Sequence, residues 1–181
     1  MITNILLGAA AAFVVLLVGL LLIVAMRPSD FRISRQLSMA VPPAAIFPHV
    51  NELAKWQAWS PWEEMDPHLQ RTYEGPAAGE GARYAWAGNS KVGQGSMTIT
   101  DSRPSDLLRL RLEFIKPFRA TNTSEFTFQP AGGGALVIWS MLGRNNFMGK
   151  VFGLMMDMDK LIGKDFEKGL AKLKSIVEKK S

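Results

Sequence analysis

The stretch FMGKVFGLMMDMDKLIGKDFEKGLAKLK, residues 147–174, repeats its apolar residues with a period near 3.6. Turned about 100° per residue, Met148, Phe152, Met155, Met156, Ile162, Phe166, Leu170, Leu173 and Val177 fall within one broad stripe. That predicts a long amphipathic helix starting near Asn146, with Asn145 or Asn146 placed to cap it. Lys160, Lys164, Lys168 and Lys172 form a ridge at i,i+4 spacing away from the centre of the stripe. One charge interrupts the pattern, because Asp159 falls in the middle of the apolar face.

A helix this apolar on one side needs a sheet to cover it, and the residues before it supply one. In 31–39, Phe31, Ile33, Leu37 and Met39 alternate with Arg32, Ser34, Gln36 and Ser38, the pattern of a half-buried strand. Arg35 falls on the inward, apolar face of that strand. Further strands are expected at 70–74, 82–87, 94–100, 108–114, 118–129 and 135–141, separated by Gly, Pro, Asn and Asp punctuation. Between the first strand and the rest, Pro42-Pro43 opens a helical stretch with Ile46, Val50 and Leu53 at helical spacing. Pro48 inside it deletes a backbone donor and should kink or shorten that helix. The order is strand, helix, six strands, long helix: an α+β domain with an antiparallel sheet covering the last helix.

The chain begins differently. Residues 5–26 (ILLGAAAAFVVLLVGLLLIVAM) carry no charge, and the 21 Lys and Arg and 16 Asp and Glu all lie beyond them. As a helix the run is about 33 Å long, enough for a hydrocarbon core of roughly 30 Å. Nothing basic precedes it and no small-x-small site ends it, so it reads as an uncleaved anchor rather than a signal peptide. Arg27, Arg32 and Arg35 follow closely, which favours a single-pass protein of the cell membrane with its globular domain in the cytoplasm. The expected organisation is an anchor at 1–26, a short linker at 27–30 and one domain at 31–181.

Composition narrows the chemistry. The 181 residues include no cysteine, carry net charge +5 and are 48% hydrophobic. A wholly disordered chain, a disulfide scaffold, thiol catalysis and a cysteine metal site are excluded. His49 and His68 lack partners at triad or metal-ligand spacing and read as surface residues. Glu63, Glu64 and Asp66 crowd one loop, either as a cation site or as an exposed acidic loop. No basic patch is interleaved with aromatics, so no nucleic-acid partner is expected, nor is a metal or cofactor.

The segments VPPAAIFPHVNELAKWQAWSPW (41–62), FIKPFRATNTSEFTFQPAGGGALVIWSM (114–141) and the 147–174 helix together resemble the START-like helix-grip superfamily, the SRPBCC proteins. The resemblance covers residues 31–177. It implies a curved seven-stranded sheet wrapped around a long carboxy-terminal helix, with a cavity between them that takes lipids, sterols, polyketides or other apolar molecules. A minority of such proteins catalyse aldol or cyclisation chemistry, and fold does not decide which applies.

In that implied cavity, Arg35 and Asp159 are expected to meet a polar head group or act in acid/base work, beside Asn122 and Ser124. Tyr73, Tyr84, Trp86, Met97, Trp139, Met141, Phe152 and Met155 form the expected apolar lining. Trp56, Trp59 and Trp62, three residues apart, are expected to close one end. The plainer reading is core packing for the apolar set, a rim position for Arg35 and a structural hydrogen bond for Asp159. The leading expectation is membrane-anchored binding of a hydrophobic small molecule or lipid. The alternatives are a polyketide cyclase/dehydrase-like enzyme using the same cavity, or an accessory scaffold whose cavity has collapsed.

Overall fold

A computed structural model describes residues 2–179, without the side chains of Ile2, Thr3, Ile5, Ala9, Ala10 and Met155. In chain order the elements are α1 (Ile2–Met26), β1 (Asp30–Met39), α2 (Pro43–Asn51), two 3-10 turns (Leu53–Ala58 and Pro61–Glu64), β2 (Gln70–Glu74), β3 (Arg83–Ala87), β4 (Gln94–Arg103), β5 (Leu107–Lys116), β6 (Ala120–Ala131), β7 (Gly134–Arg144), α3 (Phe147–Met155) and α4 (Met158–Glu178). The chain divides into two compact units. One comprises the residues up to Phe31 with Arg144–Asp157; the other comprises Arg32–Gly143 and the residues from Met158 on.

In the larger unit the strands form one curved antiparallel sheet in the order β1-β7-β6-β5-β4-β3-β2. All seven expected strands are present. β6 starts at Ala120 rather than 118, leaving Phe118 exposed in the turn after Pro117. Side-chain alternation gives the sheet two chemistries. On the convex face Arg109 bridges Asp101 at 3.4 Å and Glu125 at 2.9 Å, a cross-strand row of paired charges.

The concave face holds α4 through Phe166, Leu170, Leu173 and Val177, all buried. The end of α4 is tied to the end of β1, with the Ala40 amide donating to Glu178 at 2.7 Å and Lys174 to the Ser38 carbonyl at 2.9 Å. A Cβ on Gly134 would strike the Met39 carbonyl, so that end of β1 adjoins the start of β7. With Phe166 stacked on Trp139, the residues of α4 before Phe166 therefore lie over the Met141–Gly143 end of β7.

The single helix expected from 146 is two helices. The Asn146 side chain caps α3 by accepting from the Gly149 amide at 2.8 Å, as its position predicts. Met156 then adopts an extended backbone, φ −133° and ψ 129°, and the ladder restarts at Met158. This resets the phase of the apolar stripe. Met148, Phe152 and Met156 are exposed, and Asp159 moves into the first turn of α4, where the helix dipole favours a carboxylate.

Pro48 does not interrupt α2, which ends only three residues later. The end of that helix leaves carbonyls without intrahelical partners. Two indoles take them: Trp56 Nε1 donates to Val50 at 2.8 Å and Trp59 Nε1 to His49 at 3.1 Å.

In the smaller unit, Leu6–Met26 of α1 is long and apolar enough to cross a membrane, by length and composition. Its last turn is joined to α3. Arg27 Nη1 donates to the Gly153 carbonyl and Lys150 Nζ to the Ala25 carbonyl, each at 3.1 Å, and the Asn145 amide donates to Ser29 at 2.8 Å.

Candidate functional site

Alternation along the strands places Trp139 and Phe126 on the concave face, and α4 lies directly on them. Trp139 stacks on Phe166 with ring centroids 4.1 Å apart, and Trp56, Trp59 and Trp62 surround this pair edge-on or tilted. Trp59, Phe126, Trp139 and Phe166 are each at most 2% exposed. Gly169 makes the close approach possible, because a Cβ there would come within 2.8 Å of the Trp139 ring. This half of the helix–sheet interior is filled. Trp139 Nε1 donates to Ser124 Oγ at 2.9 Å, so Ser124 satisfies a buried indole.

Towards the other end of the sheet the concave face is less covered. Register places Tyr73 opposite Tyr84, Tyr84 opposite Met97, Met97 opposite Leu112, and Leu112 opposite Asn122. The next row runs from Trp86 to Gly95 to Phe114. A Cβ on Gly95 would come within 2.6 Å of the indole of Trp86, so this glycine gives the ring its seat. Tyr84 and Met97 are buried, whereas Trp86, Leu112, Phe114 and Asn122 are half-buried and Tyr73 is 41% exposed. Met141, beside Asn122, is buried, and Asn122 Nδ2 approaches its sulfur at 3.9 Å. The half of α4 that lies over this end carries Leu161, 48% exposed, and Ile162, half-buried. The result is a concave aromatic and aliphatic surface that folding leaves partly open.

One polar network borders it. Tyr84 Oη donates to Glu63 Oε1 at 2.8 Å, and Arg71 Nε donates to Glu63 Oε2 at 2.7 Å. Burial, then the bond to Glu63, pushes the Tyr84 phenol up, so it remains a donor. Gln57 Nε2 donates to the Tyr73 hydroxyl at 2.9 Å. The loop expected to be exposed and acidic is thus only partly so. Glu63 turns inward to Arg71 and Tyr84, while Asp66, 6% exposed, accepts the amides of His68 and Asn89 at 2.9 and 2.6 Å. Those two amides hold the Asp66 carboxyl below the usual range. Glu64 alone reaches outward, to Lys172. Among the described residues no group of three His, Asp or Glu is placed to hold a metal ion.

Arg35 and Asp159 do meet, but on the flank of α4 rather than inside it. Arg35 lies across Gly163, donating to Asp159 Oδ2 at 3.0 Å and Glu167 Oε1 at 2.8 Å. The Asp159 side chain is 59% exposed, and the Arg35 guanidinium holds its carboxyl below the usual range. Its expected burial is corrected: Asp159 keeps the phase of Phe166, seven residues on, but the first turn of α4 leaves its side chain uncovered. Phe152 sits on α3 and is exposed, and the side chain of Met155 lies outside the described residues.

Sequence reasoning passed over Asp165. It lies on the flank of α4 that carries Leu161 and Ile162, with its side chain 16% exposed and Lys168 at 3.9 Å. Burial pushes its carboxyl up. The signal was present, a carboxylate beside Phe166 in the stripe, but the assumed continuous helix directed attention to Asp159. Leu112 and Phe114 share one face of the strand expected at 108–114 but were not among the expected lining residues.

The family described as polyketide cyclase / dehydrase and lipid transport matches residues 30–178. No curated protein matches the chain significantly. Among solved structures, protein CV1439 from Chromobacterium violaceum is similar at TM-score 0.58 and 13% identity, over 84% of this chain and 99% of that one. Protein Ms6760 from Mycobacterium smegmatis gives TM-score 0.59 and 14% identity, over 83% and 92%. Ara h 8.0201 gives TM-score 0.58 and 12% identity, over 83% and 99%. At these identities the likeness concerns the fold alone.

Proposed function

Because the chain belongs to the polyketide cyclase / dehydrase and lipid transport family, we propose that it binds a hydrophobic small molecule or lipid on the half-open end of its concave face, while α1 anchors it in a membrane. Family membership supports hydrophobic-ligand binding or a cyclase-like role. The observation that carries the binding reading is the uncovered apolar surface itself: Trp86, Leu112 and Phe114 half-exposed on a concave sheet, with Leu161 and Ile162 on the helix above. A surface of that composition gains free energy by leaving water, about 25 cal/mol per Å² of apolar area covered. Tyr73 and Asn122 supply polar edges that would orient a ligand. The orientation read from Arg27, Arg32 and Arg35 puts the domain on the cytoplasmic side.

One observation favours a second reading. Asp165 is a half-buried carboxyl raised by burial, a group suited to proton transfer if the ligand is turned over. Under this reading Asp165→Asn abolishes turnover and leaves binding intact.

Native mass spectrometry of the full chain extracted in mild detergent tests the binding reading. A co-purified apolar molecule is expected, retained in Thr121→Arg, whose side chain alternates with Asn122 onto the convex face, and lost in Leu112→Arg. Equal retention in both variants would remove the concave surface from the site. Carbonate extraction tests the anchor separately, since a carbonate-soluble full chain would not be membrane-spanning.

A further inference from the structure

The junction of α1 and α3 is a second place where cations and apolar side chains converge. An open pocket there is lined by Arg27, Pro28, Asn145, Gly149, Lys150 and Gly153. No carboxylate lines it. Arg27 and Lys150 spend one hydrogen bond each on the carbonyls of Gly153 and Ala25, and neither has an anionic partner among the described residues. Beside the pocket, α3 presents Phe147, Met148 and Leu154 to the outside, at 47%, 54% and 38% exposure. A helix of nine residues that exposes this much apolar surface is not covered by its own fold.

Length fixes the depth of this junction. The 21 residues Leu6–Met26 rise about 31 Å, one hydrocarbon thickness, so Met26 ends at the boundary and Arg27 at the headgroups. α3 is bonded to the residues on both sides of Met26, and so it lies at the same level. We propose that this pocket holds the phosphate of a membrane phospholipid, with Arg27 and Lys150 as its cationic ligands and the exposed apolar side chains of α3 lying in the lipid boundary. A phosphodiester carries one negative charge that two cations without a carboxylate beside them can share, and guanidinium and ammonium both donate to it well. Short apolar helices with basic flanks lie in such interfaces, and two signals hold a protein there more firmly than one. The inference rests on the anchor reading of α1 and is independent of the concave site.

The chain has no cysteine, so single-cysteine labelling is clean. Nitroxides at Met148→Cys and Leu154→Cys would be read in the full chain, reconstituted in vesicles of phosphatidylcholine with and without phosphatidylglycerol. Collisions with oxygen are expected to dominate over collisions with an aqueous nickel chelate, most strongly with phosphatidylglycerol present. In Arg27→Gln/Lys150→Gln the ratio should fall to that of an aqueous label while the chain stays carbonate-resistant. Inorganic phosphate in the buffer should leave the ratio unchanged, and a fall would mean that the pocket takes free phosphate instead. Aqueous labels in a carbonate-resistant wild-type chain would overturn the proposal while sparing the anchor. Deep labels unaffected by the double substitution would overturn the phosphate assignment. A carbonate-soluble chain would overturn both readings.

Discussion

Trp139 and Phe166 lie face to face, 4.1 Å between centroids and 7° between planes, a buried contact that joins β7 to α4. Phe126 stacks on the other side of the indole at 4.7 Å. The three rings form a column from strand to strand to helix, and offset stacking adds to their area burial. Phe166→Ala should therefore cost about 3–5 kcal/mol in chemical unfolding, as large-to-small changes in aromatic cores do. A loss well under 1 kcal/mol would mean that the column is loosely packed.

Two glycines of α4 give opposite expectations. At Gly169 an added Cβ meets the Trp139 ring and, at 3.2 Å, Pro61, neither of which can swing aside. Gly169→Ala should cost about 1–3 kcal/mol. At Gly163 the obstacle is the end of the Arg35 side chain, which can move. There the roughly 1 kcal/mol by which alanine outranks glycine in a helix should offset the displaced guanidinium. Urea midpoints of the two variants compare them directly, and equal losses would contradict the contrast.

The Glu63 network predicts a graded response. Tyr84→Phe removes one donor and should cost about 0.5–1.5 kcal/mol. Glu63→Gln weakens the bonds from both Tyr84 and Arg71 and should cost more, about 1.5–3 kcal/mol. In a double-mutant cycle the two changes should be non-additive, because the Tyr84 bond ends on Glu63. Additive losses would show that the two side chains do not interact.

Acid should act on two carboxyls in opposite senses. Asp66 is held low by the amides of Asn89 and His68, so it stabilises the fold above the ordinary carboxylate range, near pH 4, and that contribution disappears as pH falls through its lower folded value. Asp165 is pushed up by burial, so its ionised form costs stability at neutral pH and the cost is relieved on acidification. Asp66→Asn should lower the neutral Tm and flatten its acid decline. Asp165→Asn should raise the neutral Tm slightly, the mark of a group retained for something other than stability. Thermal melts between neutral pH and pH 3 give both signs.

The strands were legible because alternation survives in single sequences: Leu108, Leu110, Leu112 and Phe114 announce β5 without help. The break between α3 and α4 was not. Met156 and Asp157 contain neither Gly nor Pro, and Met156 continues the apolar stripe, so periodicity runs through the point where the backbone does not. Asp157, immediately before α4, is of a type that favours helix starts, but one such residue rarely outweighs a continuous stripe. Phe152 was placed inward by that phase; Asp159 keeps the phase of Phe166 and was misplaced because the first turn of α4 is left uncovered. The apolar lining on the strands was legible by face. How far each residue is covered was not, because cover depends on where α4 crosses the sheet.

The strand order leaves β1 and β2 as the borders of the sheet. β2 is only five residues long and carries Arg71 and Glu74 among polar neighbours, with Glu74 bound across to Arg83 at 2.5 Å. A border that short and that charged is a poor template for a strand from another molecule, since too few main-chain groups are free in register to repay bringing its charges out of water. Copies of this domain can therefore crowd together at that border without joining sheet to sheet.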